Sequence, residues 1–301
     1  MTRFTRNTLG VLVLVFLFEF VGSVCAQEAG KLVFWGYNQF GQCNVPSQNP
    51  EFLKISLGDD HSIGLKKDGT VICWGNNNYG QCNAPSQNTG FISVSAGQNY
   101  TLALKSDGSI VSWGFNQQGQ CNIPTPNKDF KEISAGGKHS LGLKKDGTIV
   151  AWGYNQFGQC NIPAPNKDFI AIAAGDEHSL GLKKDGTVVA WGKNTLGQCN
   201  VPTPNKDFVA ISAGYTHSLG LKKDGTLVAW GYNQYGQCNI PTPNKDFVAI
   251  AAGDEHSLGL KKDGTVVAWG KNTLGQCNVP TPNKDFIAIS AGKTFSGSIK
   301  K

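Results

Sequence analysis

Seven tryptophans spaced 39 residues apart, three strand-like stretches inside each period, and a chain that opens with the strand its end lacks together predict an all-β fold, a seven-bladed β-propeller. The anchors are Trp35, Trp74, Trp113, Trp152, Trp191, Trp230 and Trp269, with no insertion or deletion between them. One period, Phe208 to Asp246, reads FVAISAGYTHSLGLKKDGTLVAWGYNQYGQCNIPTPNKD. FVAISAG alternates apolar and small residues, HSLGL alternates again, and TLVAW is β-branched and aromatic. Lys222-Lys223-Asp224-Gly225, between the last two, carries the signal of a tight hairpin. No stretch has a helical period. The rest of the unit, rich in Gly, Asn and Pro, is a connector with room for a short fourth strand.

A linear stack of such units would leave two unpaired sheet edges, whereas a ring leaves none when its ends meet. The chain ends on SGSIKK at Lys301, where other copies run on into DGTVVAW, and the missing strand stands at the start as Lys31 to Trp35. Ala29 to Lys301 is 273 residues, seven full periods. The N-terminal strand is therefore expected to complete the C-terminal blade, with residues 27–301 as one domain.

Residues 1–26 read as a secretory signal peptide: a basic start, MTRFTR, an apolar run from Leu9, and small residues before a cut after Ala26. The run is broken by Glu19 and is shorter than the ~20 residues of a membrane span. The mature protein is expected outside the cytoplasm (secreted, periplasmic or at the cell surface), without a span. Removing the segment lowers the net charge from +6 to +5 and takes away both arginines, so every remaining basic side chain is lysine. That disfavours recognition of phosphate or carboxylate through guanidinium forks, and no nucleic-acid partner is expected.

AAGDEHSLGLKKDGTVVAWGKNTLGQC, from Ala173, resembles the repeat of the regulator-of-chromosome-condensation (RCC1) family, which runs A-G-x-x-H-S-L-A-L and then D-G-x-V-x-x-W-G-x-N-x-x-G-Q. The likeness extends over all seven periods. In its compact, secreted form the chain is similar to bacterial β-lactamase-inhibitory propellers. The resemblance implies a propeller that binds proteins through one face, with enzyme inhibition as one form of that role. A guanine-nucleotide exchange role comes with the family alone and sits poorly with a signal peptide.

Features present in every copy read first as requirements of the blade. Each tryptophan is followed by Gly and, three positions on, by Asn, as at Asn155 and Asn233, to pack between blades and satisfy loop backbone. His61, His139, His178, His217 and His256 share their slot with Tyr100 and Phe295, so the slot is one of packing and no metal is expected. Neighbouring His and Ser point to opposite faces of a strand, which excludes a nucleophile and base unless another blade supplies the partner. Seven periodic cysteines, Cys43, Cys82, Cys121, Cys160, Cys199, Cys238 and Cys277, lie too far apart around a ring to pair and are expected as free thiols, with Cys73 unpartnered.

Catalysis and cofactors are not expected. The stretch from Ala173 to Phe208 recurs unchanged from Ala251 to Phe286, whereas a single active site would break the symmetry. Aspartate boxes and carboxylate-clamping arginines of sialidase-type propellers are missing.

Strand direction sorts the loops onto two faces. The lower collects the hairpin lysines, among them Lys66, Lys67, Lys183, Lys184, Lys261, Lys262, Lys300 and Lys301, accompanied by aspartates, and reads as a solvated surface. The upper face carries the variation. Its connectors bring Tyr37, Phe40, Tyr79, Phe115, Tyr154, Phe157, Tyr232 and Tyr235, and its turns bring Asp59, Asp60, Asp176, Glu177, Tyr215, Asp254 and Glu255. Aromatic groups beside acids on a rigid rim compose a binding surface. A monomer binding a protein partner is the expected state, and carbohydrate stacked on the tyrosines is the alternative.

Overall fold

The computed structural model describes residues 28–47 and 49–301, so the signal peptide and Cys25 lie outside the described residues. These form seven antiparallel three-stranded sheets arranged as the blades of a propeller. In a representative blade the inner strand is Phe169–Ala174, the middle strand His178–Lys183 and the outer strand Val188–Gly192. Inner strands of successive blades touch one another around the axis. Among the described residues no helix is long and apolar enough to cross a membrane.

Burial explains the pattern of the middle strand. His178 to Leu182 are all buried because neighbouring blades cover both faces. Gly181 is required there: a Cβ would stand 2.6 Å from the Phe169 ring that packs across it. Every inner strand has a register shift after its first phenylalanine, as between Phe169 and Ala171.

Closure is as expected. Lys31–Gly36 pairs antiparallel with Phe295–Lys300, which pairs in turn with Phe286–Ala291. Gly30 exchanges two backbone hydrogen bonds with Phe52 of the next blade, at 3.1 and 2.9 Å. It takes the place of the hairpin glycine that elsewhere accepts from the next phenylalanine, as Gly108 does from Phe130 at 3.0 Å.

The tryptophans and glutamines form the seams. Trp191 Nε1 donates to the Gln159 carbonyl of the preceding connector at 2.9 Å, and Ser179 Oγ donates to the same oxygen at 2.9 Å. His139, one blade back, meets Ser179 Oγ through Nε2 at 2.9 Å. The serine proton goes to the carbonyl, so the imidazole must donate from Nε2. Asn155 Oδ1 accepts the Cys160 N–H at 2.8 Å, which holds the connector closed.

Two expectations are corrected. Among the described residues the connectors add no fourth strand: the Asn166 side chain bonds both N–H and C=O of Ile149 at 2.8 Å, so one amide occupies the outer-strand edge that a fourth strand would need. Cys73 is not unpartnered and Cys82 is not free, because the two form a disulfide with Cα atoms 5.0 Å apart. The ring argument considered only equivalent positions in different blades, but the residue before each tryptophan faces the connector of its own blade. Ser112 in that slot donates to the Cys121 carbonyl at 2.9 Å. The other six periodic thiols are free and half-buried. Cys160 Sγ donates to the Tyr154 carbonyl at 3.3 Å, and burial pushes its pKa up to about 11, which keeps it protonated. Alkylation in denaturant without reductant should therefore modify Cys43, Cys121, Cys160, Cys199, Cys238 and Cys277 and spare Cys73 and Cys82. Modification of all eight would contradict the disulfide.

Candidate functional site on the upper face

The Ala-Gly turns between inner and middle strands meet around the axis. Their glycines allow the close approach: a Cβ on Gly58 would lie 2.3 Å from the Gly97 carbonyl. The next residue of each turn is Asp59, Gln98, Gly137, Asp176, Tyr215, Asp254 or Lys293, and together these line an axial mouth of about 100 Å³. The connectors lie at the same end, since Lys193 N donates to Glu177 O and Tyr154 N to Lys138 O, both at 2.9 Å.

Three carboxylates converge in the mouth. Asp176 fills the space left by Gly137, where a Cβ would be 2.0 Å from Asp176 Oδ1, and accepts from Gln98 Nε2 at 2.9 Å. Asp59 pairs with Lys293 at 3.1 Å. No hydrogen bond or ion pair reaches the Asp254 side chain among the described residues. Burial, with the charges of Glu177 and Asp59 added, pushes Asp176 up to about 7. Burial and the Asp59 charge raise Asp254 well above the usual carboxylate range, and burial raises Asp59 despite Lys293.

Ionising Asp176 against a shift from 3.8 to about 7 corresponds to roughly 4 kcal/mol, which solvent at the open mouth reduces to about 2 kcal/mol. Asp176→Asn should therefore raise the melting temperature at pH 8.5 by about 4 °C and by a smaller amount, about 3 °C, at pH 6, where most of the cost has already been met. A lower melting temperature at pH 8.5 would show that the charge is stabilised there.

Around the mouth stands a second tier. Glu177 pairs with Lys193 at 2.5 Å and Glu255 with Lys271 at 2.5 Å, which shields these acids. The same lysines lie over Phe157 and Tyr235, 4.7 and 4.5 Å from the ring centroids. Asp60 takes a long contact of 3.5 Å from Gln42 Nε2. Outermost is an apolar crown: Phe40, Tyr79, Phe157, Leu196, Tyr235 and Leu274 are exposed, Tyr79 by 54%. Tyr37, Phe115, Tyr154 and Tyr232 are half-buried beneath it. Tyr154 packs on Phe157 at 6.1 Å, Tyr232 on Tyr235 at 6.2 Å, and Phe115 on Tyr79 at 5.1 Å.

The structure thus brings Asp59, Asp176, Tyr215 and Asp254 together at the axis and sets Asp60, Glu177 and Glu255 one step outward. Sequence reasoning missed Gln98, Gly137 and Lys293 in the mouth and the exposed Leu196 and Leu274. The first three occupy the alignment position of the aspartates, which was the signal to follow. Among the described residues no group of His, Cys, Asp or Glu is arranged to hold a metal ion.

A profile described as "Regulator of chromosome condensation (RCC1) repeat" matches residues 52–81, 91–120, 130–159, 169–198, 208–237 and 247–276, together more than half of the chain. The chain belongs to the RCC1-repeat family. A comparison with curated proteins returns no match. Among solved structures this RCC1-repeat chain is similar to Prp20p of Saccharomyces cerevisiae, characterised with its binding to Gsp1p and histones, at a TM-score of 0.75 and 20% identity, covering 91% of this chain and 92% of that one. Human WBSCR16 gives a TM-score of 0.72 at 17% identity over 91% and 99% of the two chains. The ectodomain of the Arabidopsis thaliana receptor kinase ACR4 gives 0.66 at 26% identity over 82% and 90%.

The next blade does supply the partner that the argument against a His-Ser pair left open, since His139 meets Ser179. Both side chains are fully buried and the serine proton is committed to Gln159, so the pair is a seam and not a nucleophile. On the lower face, Lys184, Lys223 and Lys262 pair with Asp168, Asp207 and Asp246 at 2.6 Å, in keeping with a solvated surface.

Proposed function

We propose that this RCC1-repeat propeller is a secreted, non-catalytic scaffold that binds a protein partner through its upper face. The observation that carries the reading is the exposed apolar crown set around an acidic mouth on a closed, rigid ring. Three further points support it. Prp20p, of the same fold, binds Gsp1p and histones. The Cys73–Cys82 disulfide suits an oxidising compartment, as does the signal-like start of the chain. The unchanged repetition of Ala173–Phe208 at Ala251–Phe286 suits a scaffold better than a single catalytic centre.

Replacing Tyr154, Phe157, Tyr232 and Tyr235 together by Ala should reduce capture of the partner at least tenfold. Phe157 and Tyr235 are 41% and 39% exposed, so the melting temperature should fall by only a few degrees. The paired control replaces Lys183, Lys184, Lys261 and Lys262 by Gln on the lower face and should leave capture intact. Salt-sensitive capture lost through the lysine variant, with the aromatic variant unaffected, would place the site on the other side of the ring. Capture of glycans in place of protein by the same tyrosines would favour a carbohydrate-binding propeller.

A further inference from the structure

The two faces of the ring carry opposite charge. The hairpins, the loops that lead into the inner strands and the chain ends all meet at the lower end: Phe130 N donates to Gly108 O at 3.0 Å, Lys145 N to Asp129 O at 2.9 Å, and Lys301 pairs with Glu28 at 2.7 Å. This end holds twenty lysines against thirteen acids, an excess of seven positive charges, and the upper face holds four lysines against six acids. Lys54 and Glu132, on inner strands, cancel, so the two faces account for the +5 of residues 27–301. Pairing does not absorb the excess. Lys128, Lys131, Lys145, Lys167, Lys206 and Lys245 are exposed, with no ion pair or side-chain hydrogen bond among the described residues.

Charge alone describes a solvated face, and a second, independent observation sets this one apart. The second residue of the inner strand is apolar in six of the seven blades, as Leu53, Ile92, Ile170, Val209, Val248 and Ile287. Inner strands touch one another around the axis, so these side chains ring the lower opening inside the circle of lysines. Ile92 is 44% exposed, the one large apolar side chain so exposed at this end among the described residues, and the other five are half-buried. Between the strands that begin at Phe169 and Phe208 the ring widens into a hollow of about 240 Å³, lined by Ile170, Phe208 and Val209 together with Asp207 and the Lys184 and Lys223 hairpins.

We propose that the lower face docks on the surface of a lipid bilayer rich in anionic headgroups, with the lysines over the headgroups and the apolar ring against the acyl boundary. An apolar centre inside a basic rim is how a protein lies in a membrane interface, where buried apolar area and attraction to anionic lipid add. Lysine stems cover apolar surface while their ammonium groups reach the headgroups. A leaflet presents a spread of negative charge, which point charges on flexible stems match without guanidinium forks. A soluble polyanion would engage the lysines and leave the apolar ring without a role. Docking this way turns the acidic upper face and its crown away from the membrane. The proposal goes beyond the upper-face reading and does not depend on it.

The test uses the full mature protein and large unilamellar vesicles, made of phosphatidylcholine alone or with about one third phosphatidylglycerol, read by co-sedimentation at about 0.05 M and about 0.5 M salt. Binding to the anionic vesicles should be at least tenfold tighter than to the neutral ones and at least tenfold weaker at the higher salt. Replacing Lys167, Lys206 and Lys245 together by Gln should weaken it at least tenfold, while Lys138→Gln on the upper face should leave it unchanged. Ile92→Ser, which keeps the charge, should weaken vesicle binding at least threefold and leave binding to dextran sulfate, a soluble polyanion, as it was. Melting curves check that each variant is folded. Equal binding to neutral vesicles, no binding to anionic ones, or no effect of the triple lysine variant would overturn the proposal. Vesicle binding that ignores Ile92→Ser would overturn it too, since the face would then take polyanions by charge alone. Partner capture through the aromatic crown is a separate readout: capture without vesicle binding sinks the lower-face proposal only, and vesicle binding without capture sinks the upper-face reading only.

Discussion

Deleting Ala29–Gly36 should abolish the cooperative melting transition of the whole domain, not merely loosen one blade. The segment contributes six residue pairs to the last sheet, from Lys31 opposite Lys300 to Gly36 opposite Phe295. It buries Leu32 and Trp35, and the Trp35 indole donates at 2.9 Å to the Gln276 carbonyl across the seam. Phe34 stacks edge-on against Trp74 of the next blade with ring centroids 5.6 Å apart. Gly30 ties that same blade through Phe52. Burying an aliphatic or aromatic side chain of this size is worth about 1.5–3 kcal/mol and a net hydrogen bond about 1 kcal/mol. The sum rivals the 5–15 kcal/mol by which a typical domain is stable. In a ring every blade has two neighbours, so an unpaired edge at Phe295–Lys300 deprives both adjoining blades of a covered face. Circular dichroism on heating should show a broad, early loss of β-structure for the deletion. An unchanged melting temperature would mean that the ring closes without this strand.

That strand was legible because the repeat is strict: a missing unit at one end and a spare one at the other can be read without any contact being known. The same strictness made the histidine slot readable, since Tyr100 and Phe295 stand in it. Other features depend on relations that a period cannot express. The Cys73–Cys82 pair lies within one blade, whereas the cysteine argument compared like positions in different blades. Asn166 replaces a strand with a side chain, so nothing in the composition of the connector distinguishes the two. The His139–Ser179 contact joins residues 40 apart through the seam, one residue more than the repeat. At the upper face the acids and aromatics were visible as departures from the repeat. Gln98, Gly137 and Lys293 depart from it equally, but their meaning depends on what stands across the axis: Gly137 matters because Asp176 fills its empty space, and Gln98 because it reaches Asp176 two blades away.

Acidification should unfold the protein in a single step near pH 5, and the seam histidines are the cause. His61, His139, His178, His217 and His256 are fully buried. Burial depresses them from 6.5 to about 4 at His61, His139 and His217 and to about 3 at His178 and His256. A group whose folded pKa is depressed contributes stability that is present above its unfolded pKa and lost as pH falls toward the folded value. Between pH 7 and pH 5 each histidine therefore withdraws up to about 2 kcal/mol, and the five together about 10 kcal/mol before relaxation of the seam, comparable with the whole stability of a domain. Carboxyl groups raised by burial act in the opposite sense, Asp59, Asp60 and Asp254 at the upper face among them. Asp176 and Glu132 are raised to about 7 by burial, so their contribution is present below the unfolded carboxylate pKa and lost as pH rises through about 7. The opposing effect of Asp176 and Glu132 over the same interval is about 5 kcal/mol and the other raised carboxyls add to it in the same direction, so the histidines dominate toward the lower end of the interval and the carboxyls tilt the alkaline side downward. Tryptophan fluorescence followed from pH 8 to pH 3 should show one transition near pH 5. Replacing His178 by Phe, the residue that Phe295 supplies in the same slot, should move that transition to lower pH and make it less steep. A protein with the same melting temperature at pH 4.5 and pH 7.5 would mean that the buried imidazoles accept protons in place, and the seam would then need a polar partner for Nδ1 that the folded ring does not offer.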